Sequence, residues 1–136
     1  MRFLGIDFGK KYLGLATTDP LQITARPFKT LVNNQDTIKT IKKICTEEEI
    51  TKIILGLPKS LDGTINQQGQ EVLEFKKLLE KELVNIPVEL EDERFTTKIA
   101  HDNLKEEEKS IRKSKKLANQ LAAQLILESY LESHQK

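Results

Sequence analysis

Apolar positions along the chain come in short runs separated by polar turns, and their spacing alternates between strand-like and helical. Residues Arg2 to Phe8 carry Phe3, Leu4, Ile6 and Phe8 and predict a buried strand. A Gly9-Lys10-Lys11 turn leads into Tyr12 to Thr17, so the two runs predict a hairpin. Ile23 to Leu31 supplies a third, edge-like strand, because Pro27 lacks a ladder donor. Asn34 to Glu48 predicts a helix whose Ile38, Ile41, Ile44 and Cys45 share one face. Thr51 to Leu57 is β-branched and apolar and predicts an interior strand ending at Gly56-Leu57-Pro58. A polar loop from Lys59 to Gly69 precedes a second amphipathic helix with Val72, Phe75, Leu79 and Leu83 on its face. Ile86 to Leu90 predicts another strand, and Thr96 to Leu104 a short helix. The last helix runs from about Ser114 to Glu132, with Leu117, Leu121, Leu125 and Ala122, Ile126, Tyr130 as neighbouring apolar rows. This order predicts an α/β fold, a mixed central sheet with helices on both faces.

Composition narrows the picture. At 136 residues the chain predicts one domain over 1–136, long enough to bury a core without staples. No apolar stretch approaches the roughly 20 residues of a membrane span. Asp7 interrupts what would be the apolar region of an export signal, so a cytoplasmic location is expected. The single cysteine, Cys45, excludes an intramolecular disulfide and a multi-cysteine zinc site.

The net charge of +1 averages over a segregated distribution. Lys109, Arg112, Lys113, Lys115 and Lys116 follow one another with no intervening acid, whereas Glu89, Glu91, Asp92 and Glu93 are relieved only by Arg94. Only four basic residues are arginines, and a lysine excess mostly reports solvated surface.

Three elements are candidates for chemistry. Asp7 sits in a strand apolar on both faces, where an unpaired carboxylate costs several kcal/mol and calls for a partner, a proton or a metal. Gly9, two residues on, leaves room for a phosphate or nucleic-acid backbone; a plain turn aspartate followed by a turn glycine is the alternative. The Glu91-Asp92-Glu93-Arg94 run places like charges at a strand end. Two such charges ~4 Å apart repel by ~4 kcal/mol at an effective dielectric of ~20. A divalent cation turns that repulsion into ligation, with oxygen ligands suited to magnesium or manganese. Alternation along a strand separates Glu91 and Glu93 from Asp92, and the competing account is a solvated strand end that caps the next helix. Asn119 is the third element: its neighbours Ala122, Ala123 and Ile126 turn it toward the core, either as part of a site or as a satisfied buried amide. Lys59, Ser60 and Asp62 lie in a loop after a strand, where sheet-edge sites gather contacts. His101 and His134 fall on surface helix positions, and Cys45 on a core-facing one.

Taken in order, Leu4-Gly5-Ile6-Asp7-Phe8-Gly9-Lys10-Lys11 with Gly14-Leu15-Ala16, Gly56-Leu57-Pro58 with Asp62-Gly63-Thr64, Asp92-Glu93-Arg94-Phe95-Thr96-Thr97, and Ala122-Ala123-Gln124-Leu125-Ile126-Leu127 resemble the YqgF family. These are Holliday-junction-resolvase-like proteins, also described as pre-16S rRNA nucleases, and the match spans nearly the whole chain. The resemblance implies an RNase H-like fold and a site of three carboxylates holding Mg²⁺ or Mn²⁺. Asp7 matches the first acid and Glu93 the second. The third acid of the family lies three residues before the Ala-Ala pair, where this chain has Asn119. Tyr12 stands where the family often has arginine.

The resemblance implies metal-ion hydrolysis of phosphodiesters in an rRNA precursor or branched DNA; a monomer or weak homodimer is expected. It makes Asp7, Glu93 and Asn119 the metal and catalytic positions. Lys10, Lys11, Lys59, Arg94, Arg112, Lys113 and Lys116 become the candidates for phosphate contacts. Because Asn119 replaces an acid, a nucleic-acid-binding protein with weakened turnover is the alternative. Actin-like phosphate-binding enzymes also begin with Asp-x-Gly after a strand, but they need two such domains.

Overall fold

The computed structural model describes residues 1–59, 62–92 and 111–134, with the backbone alone over 111–116. The expected helix from Thr96 to Leu104, and with it His101, lies outside the described residues, as does Ser60.

Among the described residues five strands form one sheet: β1 (Arg2–Asp7), β2 (Tyr12–Thr18), β3 (Ala25–Val32), β4 (Ile50–Leu57) and β5 (Val88–Asp92). Their spatial order is β3-β2-β1-β4-β5. β1 pairs antiparallel with β2, and β2 with β3, while β1–β4 and β4–β5 are parallel. The sheet is therefore mixed, as the apolar pattern predicts. Pro27 lies on edge strand β3 where the β2–β3 register shifts, between Leu15 and Ala16. That irregularity accommodates a residue with no N–H to offer. Ile23 belongs to the β2–β3 turn and not to the strand. Asp19 holds that turn, its carboxylate accepting from the backbone N–H groups of Leu21, Ile23 and Thr24. Such a cluster of local bonds competes successfully with the ladder.

Three helices are described, α1 (Thr37–Glu47), α2 (Gln67–Glu82) and α3 (Ile111–His134). Alternation along the strands divides the core in two. Leu4, Ile6, Leu13, Leu15, Ile53 and Leu55 pack with Ile41 and Ile44 of α1 and with Val72, Phe75 and Leu79 of α2. On the other face Ala16 and Ile54 pack against Ala123, Ile126, Leu127 and Tyr130 of α3. Helices thus cover both faces.

Cys45 belongs to the first cluster, and burial pushes its thiol up to about 11. On α3 the buried rows run through Ala118, Ala122 and Ile126 and through Ala123, Leu127 and Leu131, while Leu117 is 43% exposed. The expected Leu117-Leu121-Leu125 row is thus a flank of the helix and not its contact face. Leucine spacing alone overestimated its burial, because alanines make the close contact.

Candidate functional site

The parallel strands β1, β4 and β5 all end at one edge of the sheet, where Asp7, Leu57 and Asp92 are their last residues. Asp7 is half-buried and pairs with Gly14 across the β1–β2 ladder. Alternation puts it on the same face as Gly5, whose missing side chain leaves room for Leu127 and the Ala123 carbonyl of α3. Gly14 faces α3 still more closely. A Cβ on Gly14 would stand 1.9 Å from the Asn119 carbonyl oxygen and 2.8 Å from the Asn119 Cβ. Only a glycine permits this approach. The α3 backbone at Asn119 therefore rests on the residue opposite Asp7. Antiparallel partners have Cα atoms only about 4.5–5.5 Å apart, so Asp7 and Asn119 become neighbours although 112 positions separate them.

Hydrogen bonds from the middle and the C-terminal part of α3 keep it on this course. Gln120 donates to the Thr30 hydroxyl (2.9 Å), and Gln124 donates to the Ala25 carbonyl (3.3 Å). Toward the far end, the Lys52 ammonium donates to the Tyr130 hydroxyl, which donates to Glu89, both at 2.9 Å. Lys52 also pairs with Glu89 at 3.1 Å and lies over the Phe3 and Tyr130 rings. The bond with Tyr130, and then the one with Glu89, raises the Lys52 ammonium's pKa above its ordinary value. Partial desolvation opposes ionisation of Glu89, but the bonds from Lys52 and Tyr130 outweigh it and lower its pKa.

This cluster changes the meaning of the acidic run. Glu89 is neutralised by Lys52, and Glu91 accepts a 2.6 Å bond from the Ser129 hydroxyl of α3. Two of the run's carboxylates are thus tied to α3 and β4 by protein partners. Neither Lys52 nor Ser129 is near the run in sequence, so the chain's local pattern carried no sign of them.

The turn after β1 is also fastened. The Asn33 side chain donates to the Gly9 carbonyl at 2.7 Å, and the Asn33 N–H donates to the Lys11 carbonyl at 2.8 Å. Lys10 and Lys11 are both exposed there, and Lys10 pairs with Glu71 of α2 at 3.6 Å. Lys59 follows β4 at the same edge. Asp62 serves its own loop, accepting from the Thr64 N–H and hydroxyl at 3.0 and 2.8 Å. Glu93 and Arg94 lie outside the described residues, as do the side chains of Arg112, Lys113 and Lys116 on the first turns of α3.

The Asn119 backbone is therefore brought against Gly14, the ladder partner of Asp7, whereas Lys10 of the turn pairs with Glu71 on the α2 side. Gly14 is the functional position that motif reasoning undervalued. A glycine inside an otherwise apolar strand was the available signal, since such residues mark close backbone approach.

The profile of a family described as "RuvX: Holliday junction resolvase" matches residues 1–133. A relative from Clostridium botulinum (strain Eklund 17B / Type B), named "Putative pre-16S rRNA nuclease", is 41% identical over 100% of both chains. One of the same name from Clostridium acetobutylicum is 42% identical over 98% of this chain and 99% of its own. Among solved structures, fowlpox virus resolvase with substrate Holliday junction DNA superposes with a TM-score of 0.63, at 16% identity and covering 100% of both chains. T. thermophilus RuvC in complex with a Holliday junction substrate gives a TM-score of 0.55, at 16% identity and covering 98% of this chain and 97% of its own. At such identity the two structures establish the fold alone, which is RNase H-like.

Proposed function

Because the chain belongs to the RuvX family of Holliday junction resolvases, we propose that it is an endonuclease that hydrolyses phosphodiester bonds in structured nucleic acid, with the 5′ end of precursor 16S rRNA as its substrate in the cytoplasm. The observation that supports this reading is the close approach of the Asn119 backbone and Cβ to Gly14, the ladder partner of Asp7 at the sheet edge. The names of the full-length relatives favour RNA over branched DNA.

The donors at this edge suit a hard divalent ion. Asp7 and Asn119 offer oxygen, which Mg²⁺ and Mn²⁺ prefer. Among the described residues no group of three or more acids, histidines or cysteines gathers at this edge or elsewhere, and Glu93 lies outside them. In this reading Asp7 and Glu93 supply the charge and the Asn119 side-chain oxygen a neutral ligand. When bound, such an ion activates water and offsets charge on the phosphate. Lys10 and Lys11, on a turn anchored by Asn33, hold the phosphate beside Asp7, and Lys59 extends that contact along the edge. Arg94, Arg112, Lys113 and Lys116 engage the flanking backbone, which positions the substrate without reading its sequence.

The test is cleavage of a precursor 16S 5′ transcript and of a four-way DNA junction, each with Mg²⁺ or Mn²⁺. Cleavage of the transcript, abolished by Asp7→Asn, is expected. Cutting of the junction alone would remove the RNA assignment, and cutting of neither would remove the nuclease reading. A second reading rests on Asn119, a neutral group at the family's third acid: a nucleic-acid-binding protein with weakened turnover. It requires salt-sensitive binding that Asp7→Asn leaves unchanged, with cleavage emerging in Asn119→Asp.

A further inference from the structure

A cleft of about 290 Å³ opens between the turn after β1 and the first turn of α2, lined by Phe8, Gly9, Lys10, Gln67, Gln68 and Glu71. Its wall begins at Phe8, which follows Asp7 in the chain but by strand alternation faces α2, so the cleft opens on the opposite face of the sheet from Asp7, at the same strand ends. The Phe8 ring is held by Phe75, with ring centroids 4.7 Å apart. Gln67 and Gln68 stand exposed on the first turn of α2, whose start is fixed by the Asn66 side chain accepting from the Gly69 N–H at 2.9 Å. Each glutamine carries both a donor and an acceptor, whereas the Glu71 carboxylate offers acceptor oxygens. At the mouth, the Lys10 side chain is 80% exposed and only loosely paired with Glu71 at 3.6 Å, so it is free to turn to a phosphate. The volume falls just below the range of pockets for drug-sized ligands. An aromatic wall with amide and carboxylate edges is the composition that receives an unstacked base.

We propose that this cleft receives one unstacked nucleobase of a nucleic-acid strand that passes over the strand ends from Asp7 to the α2 face, with guanine preferred. Guanine offers adjacent N–H donors from its ring and exocyclic amine to the Glu71 carboxylate, and its O6 accepts from a glutamine amide. The site deepens the nuclease reading and rests on it for the substrate class.

Binding is measured without divalent metal on an Asp7→Asn background, using precursor 16S 5′ RNA with an abasic residue or inosine placed in turn along it. One position is expected at which an abasic residue weakens binding about tenfold and inosine for guanine does so by several-fold. Both sensitivities should vanish in Gln67→Ala/Gln68→Ala, and inosine discrimination alone in Glu71→Gln. These side chains lie outside the core, and unchanged melting of each variant checks that it folds. Equal sensitivity at all positions, or discrimination that survives in the variants, overturns the cleft assignment. Because no cleavage is involved, base discrimination in a protein that never cuts RNA would retain the cleft and discard the nuclease reading. Cleavage without discrimination would do the reverse.

Discussion

Replacing Gly14 with alanine drives a methyl group into the backbone of α3. The new Cβ would sit 1.9 Å from the Asn119 oxygen and 2.2 Å from its carbonyl carbon. A carbon and a carbonyl oxygen approach to roughly 3.3 Å even in weak hydrogen bonds. Relief therefore requires α3 and β2 to part by more than about 1 Å, and the obstacle is main chain, with no flexible tip to swing aside. Overpacking of this kind costs about 1–3 kcal/mol, and more where backbone must shift. Removing a glycine from a strand returns about 0.5–1 kcal/mol. A net loss of about 2 kcal/mol is expected, or a fall in Tm of roughly 6–10 °C for a chain of this size. The same displacement moves Asn119 away from Asp7, and a 1 Å misplacement in a site can cost about 100-fold in rate. Urea unfolding reads the first effect, and cleavage of the precursor transcript well below the melting range reads the second. A variant within 0.5 kcal/mol of wild type that cuts at the normal rate would refute the close approach of Asn119 to Gly14, and with it the argument that this glycine joins Asp7 to Asn119.

Tyr130→Phe removes the hydroxyl that accepts from Lys52 and donates to Glu89; a loss of about 1–2 kcal/mol in urea unfolding is expected, since two charged partners lose a bond. Glu89 has a lowered pKa, so its contribution is present above its ordinary value of 4.5 and is lost as pH falls through the lower folded value. The raised pKa of Lys52 makes its contribution complete below its ordinary 10.5, with loss only as pH rises past the higher folded value. The stability gap between wild type and Glu89→Gln should therefore hold steady between about pH 5 and 10 and close on acidification, as followed by urea midpoints. Cys45, with its thiol pushed up to about 11, should resist iodoacetamide at pH 8 until urea unfolds the chain; rapid labelling of the native protein would contradict its burial.

Much of this molecule is local and was legible as such. The β1–β2 hairpin, the edge position of Pro27, and the core faces of α1 and α2 follow from spacing, because period and turn chemistry are properties of neighbouring residues. Asp7 and Asn119 stood out for the same reason, as polar groups where the pattern demanded apolar ones. The acidic run shows where local reading ends. Its carboxylates suggested mutual repulsion, yet Glu89 and Glu91 find Lys52, Tyr130 and Ser129.

The sequence by itself determined which residues form strands and helices, which face of each seeks the core, and which family the chain resembles. Only the tertiary structure decided that Asn119 lies on Gly14 opposite Asp7, that Lys52 reaches Glu89, and that Phe8 opens on a cleft beside α2. Those contacts depend on the strand order β3-β2-β1-β4-β5 and on the crossing of α3 over the sheet. Periodicity specifies that a face must be covered, but the same period is satisfied by any complementary partner, so the choice among partners is made only when the elements pack together.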